Sequence, residues 1–145
     1  MLSIEISSRG VELKSLAEKF PANITQKFIE QLAQETQNIM VLEAPRRSGR
    51  LMQSIIKEVS EFEASIGPQV AYAVYVELGS SPHQIRPLRG KVLAFEGTTN
   101  KLVFTAVANH PGTEANPFVK RTGEQITERA SAVFADVWRL NNEVL

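Results

Sequence analysis

The chain has 145 residues, with 16 Lys and Arg balancing 16 Asp and Glu, so its formal net charge at pH 7 is zero. The absence of cysteine excludes thiolate nucleophiles, thiolate metal sites and disulfides, and the neutral charge disfavours sequence-independent binding to nucleic acid. A hydrophobic share of 43% and a charged share of 22% are those of an ordinary globular protein, and this length suits one domain with its own core.

The N-terminal part predicts a short strand followed by two helices. Alternation of apolar and polar residues over Leu2–Ile6 has the period of a half-buried strand. Helical spacing over Val11–Phe20 predicts a first helix, and Pro21 ends it because proline has no amide hydrogen and clashes with the preceding turn. A longer amphipathic helix is expected over Ala22–Glu43, where Ala44-Pro45 stops it.

The middle of the chain predicts two β-hairpins separated by a short helix. Ser54–Val59 and Glu61–Gly67 are rich in Ile, Val and Phe and indicate the first hairpin. Val92–Phe95 and Leu102–Val107 indicate the second, joined through residues suited to a tight reversal. Val70–Leu78 is a nearly continuous apolar run that fits a buried strand or a short helix, and we favour the helix.

The last third predicts an extended loop and a C-terminal helix. His83–Arg89 shows no periodicity and is expected to be the loop. Asn116 and Pro117 resemble an N-cap and a first helical residue, and Phe134 and Trp138 on the following helix are expected in the core. The order of elements predicts an α+β fold. A mainly antiparallel sheet of two hairpins plus a short N-terminal strand would carry the long N-terminal and the C-terminal helix on one face.

Few side chains in this sequence are suited to catalysis. His83 and His110 belong to the residue type that titrates nearest neutral pH, but they stand alone, and the single aspartate, Asp136, lies in the last helix. The glycines form no phosphate-binding loop, and two distant histidines without a carboxylate cluster are no metal site. We therefore predict no catalytic residue, no cofactor and no metal; a small hydrolase using His110 would still need a nucleophile.

Two basic clusters are candidate anion-binding loops. They are Arg46, Arg47 and Arg50 in the first, and Arg86, Arg89 and Lys91 in the second. Zero net charge and the lack of interleaved aromatic residues favour solvated loops or intersubunit salt bridges. A nucleic-acid-binding module that uses the first cluster is the alternative hypothesis.

Three polar side chains interrupt the apolar run of the middle region. Tyr72 and Tyr75 share a face if the run is helical, so we expect them to pack in the core with their hydroxyls at its boundary. Glu77 must find water, a cation or hydrogen-bond donors, and Arg50 and Arg86 are candidate cations.

Five short motifs follow one another across most of the chain. They are Ala44-Pro45-Arg46-Arg47-Ser48-Gly49-Arg50-Leu51, Tyr72-Ala73-Val74-Tyr75-Val76-Glu77-Leu78-Gly79-Ser80, His83-Gln84-Ile85-Arg86-Pro87, His110-Pro111-Gly112-Thr113 and Asn116-Pro117-Phe118. This ordered set resembles the tail-component family of long-tailed bacteriophages. Leu78 stands where Phe is common in that family, and Val119-Lys120-Arg121 stands where Leu-Arg is frequent.

The resemblance implies one tail-completion-like domain over residues 1–145, a structural virion protein that completes the tail or joins it to the head. The implied partners are other copies of the chain in a ring, the head connector or adaptor, and tail-tube or tail-terminator proteins. DNA would be contacted only as it passes through the ring, and no membrane is involved. The start of the chain lacks a secretion signal, which fits assembly in the host cytoplasm and a final location in the neck or tail of the virion.

The resemblance also implies which residues form interfaces, with the loops Arg46–Leu51 and His83–Arg89 as the foremost partner-facing segments. The implied interface residues are Pro45, Arg46, Arg47, Ser48, Gly49, Arg50, Leu51, Tyr72, Tyr75, Glu77, Gly79, His83, Arg86, Pro87, His110, Pro111, Gly112, Pro117 and Phe118. A protein of this kind transforms no substrate.

Overall fold

The computed structural model describes residues 2–7, 19–60, 62–97 and 99–142. Residues 11–18 of the helix predicted over Val11–Phe20 lie outside these ranges. The elements in chain order are β1 (Ile4–Ser7), α1 (Ala22–Glu43), α2 (Arg50–Gln53), β2 (Ile55–Val59), β3 (Glu63–Pro68), α3 (Ala73–Leu78), β4 (His83–Ile85), β5 (Leu93–Glu96), β6 (Leu102–Thr105), β7 (Ala108–His110) and α4 (Phe118–Asn142).

The two long helices, α1 and α4, pack against each other through their apolar stripes. Both stripes contain a fully buried threonine: the Thr36 hydroxyl donates to the Leu32 carbonyl at 2.7 Å, and the Thr122 hydroxyl donates to the Phe118 carbonyl at 2.8 Å. Each polar group therefore enters the core with its hydrogen bond already made inside its own helix, and neither carries the penalty of an unpaired buried hydroxyl.

Aromatic rings close the far end of this helix pair. The Phe134 ring meets the Phe28 ring edge to face at a centroid distance of 5.3 Å and the Phe20 ring at 4.9 Å. The Trp138 ring meets Phe20 at 5.2 Å, yet Trp138 is 41% exposed. The expectation that Trp138 lies in the core is wrong, because it lies at the end of the helix pair, against Phe20, which precedes α1.

The first predicted hairpin is confirmed, and β1 pairs with its second strand to give a three-stranded antiparallel sheet with the order β1–β3–β2. Ile6, Ile55, Ala64 and Ile66 are buried in the common core, and α1 packs against β2 and β3. The alternate positions carry Glu5, Ser65, Glu58 and the partly exposed Ile56, as expected for a sheet that is covered on one face.

The α+β class is confirmed, but the single predicted sheet is wrong in its arrangement. β5 and β6 form the predicted second hairpin as a separate two-stranded sheet. The predicted loop His83–Arg89 contributes β4, which pairs with β7 in a third sheet. α4 packs mainly on α1 and not on the sheet.

The helix favoured over Val70–Leu78 is also confirmed, since α3 follows a turn closed by the Ala73 amide and the Val70 carbonyl at 3.1 Å. Ala73 and Glu77 are its buried residues, four positions apart. Tyr72 and Tyr75 lie outside this narrow stripe and are exposed, so the expectation that they pack in the core is wrong. Within the described ranges no helix combines the length and the hydropathy needed to cross a bilayer.

Two glycine-to-alanine substitutions test the sheet and the helix pair separately. A Cβ at Gly67 would lie 2.4 Å from the Leu2 carbonyl oxygen, so Gly67→Ala must displace β1 and should lower the free energy of unfolding by about 1 to 3 kcal/mol. A Cβ at Gly123, inside α4, would meet only Ile4 Cδ1 at 4.0 Å, so Gly123→Ala should raise it by about 0.5 to 1 kcal/mol. Urea unfolding gives the free energy of unfolding of each variant, and changes of the same sign in the two variants would contradict the packing described.

Candidate functional site

The motifs that are far apart in the sequence meet at the N-terminal end of α4. The Ser80 amide donates to the Thr113 carbonyl at 2.9 Å, and the Thr113 amide donates to the Ser80 carbonyl at 3.0 Å. His83 pairs with His110 in the β4–β7 ladder, and the Asn116 amide donates to the Val76 carbonyl at 2.8 Å. We call this assembly of α3, residues 79–85, residues 108–117 and the first turn of α4 the motif junction.

Glu77 is the buried acid at the centre of the motif junction. Its Oε2 atom accepts the Val119 amide hydrogen at 2.9 Å, and its Oε1 atom accepts the Lys120 amide hydrogen at 3.0 Å. The first amides of a helix have no partner within the helix, and the positive end of the helix dipole favours a negative charge. Glu77 is therefore satisfied by backbone donors of α4, and the candidate cations Arg50 and Arg86 are not its partners.

The Asn116-Pro117-Phe118 motif starts α4 in a way that the sequence did not indicate. The Asn116 side-chain oxygen accepts a hydrogen bond from Arg121 Nη2 at 2.8 Å. The expected capping role of that side chain thus belongs to Glu77, which lies more than forty positions earlier. Phe118 is fully buried and anchors the helix start in the core.

A second polar cluster fastens the end of α1 to the same part of α4. Arg121 Nε donates to Glu43 Oε2 at 2.7 Å, and Gln125 Nε2 donates to Glu43 Oε1 at 2.7 Å. The hydrogen bond from Arg121, followed by that from Gln125, holds the pKa of the Glu43 carboxyl below its ordinary value of 4.5, and partial burial opposes this shift. A glutamate at a helix C-terminus is unfavourable by itself, so Arg121 offsets the dipole as well as the charge.

Two glycines let the strands of the motif junction approach each other. Gly79 has φ +75°, and a Cβ there would lie 2.7 Å from the Thr113 carbonyl oxygen. Gly112 has φ +90°, and a Cβ there would lie 2.3 Å from the Ser80 carbonyl oxygen. Both positions combine a left-handed backbone with a contact that only hydrogen can fill, which explains glycine in both motifs.

The two histidines stack on each other across the β4–β7 ladder, with ring centroids 5.0 Å apart. His83 Nδ1 lies 2.9 Å from the Ser81 carbonyl oxygen and donates to it, whereas His110 Nδ1 accepts the Gly112 amide hydrogen at 3.0 Å. Neutral His110 therefore carries its proton on Nε2 and offers no lone pair there to a metal. In the described ranges no hydroxyl or carboxylate bonds either ring, and no group of three or more ligating side chains is present.

Burial divides the implied interface residues into a framework and a surface. Leu51, Glu77 and Phe118 are buried within the chain, so their side chains hold the fold together. The exposed members are Arg46, Arg47, Ser48, Arg50, Tyr72, Tyr75, His83, Arg86 and Pro111. The partly buried ones are Pro45, Gly49, Gly79, Pro87, His110, Gly112 and Pro117.

Sequence reasoning missed the cluster of Glu43, Arg121 and Gln125. The only signal available was an acidic residue at the predicted end of a helix, where the dipole disfavours it. Its partners lie 78 and 82 positions away, beyond the reach of any local pattern.

None of the protein-family models, curated proteins or solved structures with which the chain was compared matches it. The likeness to phage tail components therefore rests on the five motifs.

Removal of the Glu77 carboxylate should loosen the whole motif junction. Glu77→Ala leaves two amides of α4 without their acceptor, and we expect a loss of about 2 to 4 kcal/mol in the free energy of unfolding. Glu77→Gln should lose less, because one amide oxygen still accepts. Glu124→Ala, an exposed acid one turn further along α4, is the matched control and should change stability by less than about 0.5 kcal/mol. Equal effects at the two positions, measured by urea unfolding, would contradict the role given to Glu77.

Acid should weaken the link between α1 and α4. Because the folded-state pKa of Glu43 is lowered, its contribution is fully present above the ordinary value of 4.5 and is lost as pH falls through the lower folded-state value. We expect the free energy of unfolding of wild type to exceed that of Glu43→Gln by up to about 1 kcal/mol at pH 7, with the gap closing as the pH falls below 4.5. Urea unfolding at several pH values measures the gap, and a gap of constant size from pH 7 to pH 3 would refute the assignment.

Proposed function

We propose that the protein is a structural component of a tailed-bacteriophage virion. In this proposal it is a tail-completion or head–tail-joining subunit that acts as a ring member between the connector and the tail tube. The motivation is the ordered set of five motifs, and the proposal requires assembly alone and no catalytic group.

The observation that carries the proposal is the convergence of four of the five motifs on one framework. Glu77, Gly79, Gly112 and Phe118 are used for backbone hydrogen bonds, close approach and packing at the start of α4. None of these uses involves a substrate, and all of them fix the positions of neighbouring surface segments. A framework that positions surfaces is what a subunit needs if its work is to fit against other proteins.

The outer face of α3 is the first of those surfaces. Tyr75 and Leu78 are 62% and 72% exposed, although their neighbours Ala73 and Glu77 are buried. Aromatic and aliphatic side chains on a rigid, buried support are typical of the central part of protein interfaces. Ring subunits contact their neighbours through two different surfaces, so this face would meet a different surface of the next subunit or of a connector protein.

Particle assembly tests this proposal directly. If the gene is deleted from the phage genome that carries it, electron microscopy should show separate heads and tails, and plasmid-borne wild type should restore joined, infectious particles. Leu78→Asp should reduce incorporation into particles by about tenfold or more, since loss of a central interface contact commonly weakens binding by at least that factor. Leu42→Asp, a leucine of α1 that is 66% exposed and lies outside the motifs, is the matched control and should be incorporated normally. Joined, infectious particles formed without the gene would overturn the proposal.

A nucleic-acid-binding module remains the second candidate function. Arg46, Arg47 and Arg50 are exposed, and no described residue forms a hydrogen bond or ion pair with their side chains. Free guanidinium groups on one loop favour contacts with phosphates. Binding to duplex DNA that weakens with salt and disappears when all three become alanine would favour this function over the structural one. No binding at low salt would end it.

A further inference from the structure

The β5–β6 hairpin projects apolar side chains that nothing in the described part of the chain covers. We call residues 91–107 the arm. Leu102 and Phe104 are 68% and 65% exposed, and Phe95 on the neighbouring strand is also exposed. The hydrogen bonds found for the arm join its own residues, and its two strands form a sheet with no third member.

Both faces of the arm are apolar. In the ladder Phe95 lies opposite Val103, and Ala94 lies opposite Phe104, so one phenylalanine projects on each face. With Val92 and Val107, the two faces of the arm together expose apolar surface on the order of 500 Å². A two-stranded hairpin is marginally stable alone in water, so the arm gains stability when another surface covers it.

The segment that contains the arm is basic. Residues 86–107 hold four cations, Arg86, Arg89, Lys91 and Lys101, against one anion, Glu96, for a net charge of +3. Since the whole chain is neutral, the rest of the molecule carries −3. The side-chain ammonium groups of Lys91 and Lys101 make no ion pair or hydrogen bond with any described residue.

The outer face of the three-stranded sheet has the complementary character. Glu5 on β1 and Glu58 on β2 are exposed, and no described residue pairs with either carboxylate. Beside Glu5 and Glu58 lies a cavity of about 450 Å³ that residues of all three strands line, and the partly exposed apolar Ile56 projects on the same face as Glu58. We call this surface the acid face. β2 is an edge strand of its sheet, so the acid face also ends in backbone groups able to pair with a further strand.

We propose that the arm of one copy of this chain docks on the acid face of a second copy. Unlike charges bring the two surfaces together, and the apolar side chains of the arm cover Ile56 and the open edge of the sheet. Docking of two arms on each other is disfavoured, because it would bring Lys91 and Lys101 of both copies together. The contact therefore joins two different surfaces, and repetition of such a contact gives a ring or a chain of subunits.

This contact would supply the ring of the proposed function, and in that use it rests on that function. It is nevertheless tested without any phage. If the contact forms but the phage needs no gene product, the proposed function fails alone. If the phage needs the gene product but the contact does not form, the docking proposal fails alone.

Charge reversal on the two surfaces tests the docking. Analytical ultracentrifugation of the full chain at low salt should show self-association that Lys91→Glu/Lys101→Glu weakens at least tenfold. Glu5→Lys/Glu58→Lys should weaken it as much. A mixture of these two double variants should associate again, because the reversed arm of one then meets the reversed face of the other. Lys120→Glu/Arg139→Glu, which changes the charge equally on exposed positions of α4, is the matched control and should associate as wild type does.

Three results would overturn the docking proposal. The first is a wild-type chain that stays monomeric at millimolar concentration and low salt. The second is equal weakening by the arm variant and the α4 control. The third is a mixture of the two reversed variants that associates no better than either alone. Circular dichroism of each variant establishes that it is folded, and none of the substituted side chains is buried.

Discussion

The Glu77 carboxylate accepts the amide hydrogens of Val119 and Lys120, and the arrangement of the motif junction depends on this pair of bonds. An ionised carboxylate inside a protein is costly unless donors surround it, and free amides at a buried helix start are costly too. Each removes the penalty of the other. The same two bonds attach α3 to α4, and α3 leads directly into the isolated β-bridge between Ser80 and Thr113. The segments between residues 79 and 117 are thus fastened to the start of α4 by the Glu77 side chain, together with the hydrogen bond from the Asn116 amide to the Val76 carbonyl.

This arrangement separates support from contact along the same short motifs. In α3 the buried residues Ala73 and Glu77 alternate with the exposed Tyr75 and Leu78, so one turn of helix both fixes the framework and offers a surface. A rigid surface loses little conformational entropy when it docks, which favours tight assembly from small subunits. The arm differs, because its exposed apolar side chains do not pack on a buried core within the described part of the chain. In the docking proposal, a second copy covers them.

Much of the fold follows from local patterns in the sequence, and the rest does not for identifiable physical reasons. Periodicity is enough to predict α1, α4 and the β2–β3 hairpin, whereas the continuous apolar run of Val70–Leu78 fits a strand as well as the helix α3. The assignment of Asn116 as the cap was wrong, because the acceptor comes from Glu77, which is distant in sequence. Tyr75 fits a core position by composition, but the stripe of α3 is only wide enough to bury Ala73 and Glu77. The sequence predicts the β5–β6 hairpin itself. Its separation from the three-stranded sheet depends on long-range packing that no local pattern encodes.

Native-state hydrogen exchange at the amides of Val119 and Lys120 tests the central claim most directly. In wild type both amides should be protected nearly as well as the interior of α4, although helix starts are normally unprotected. Glu77→Asp, whose carboxylate is one methylene shorter, should abolish that protection selectively, while the amides of Met40 and Ile66 change only by the overall loss of stability. Rapid exchange of both amides in wild type, or protection that survives Glu77→Asp, would contradict the account.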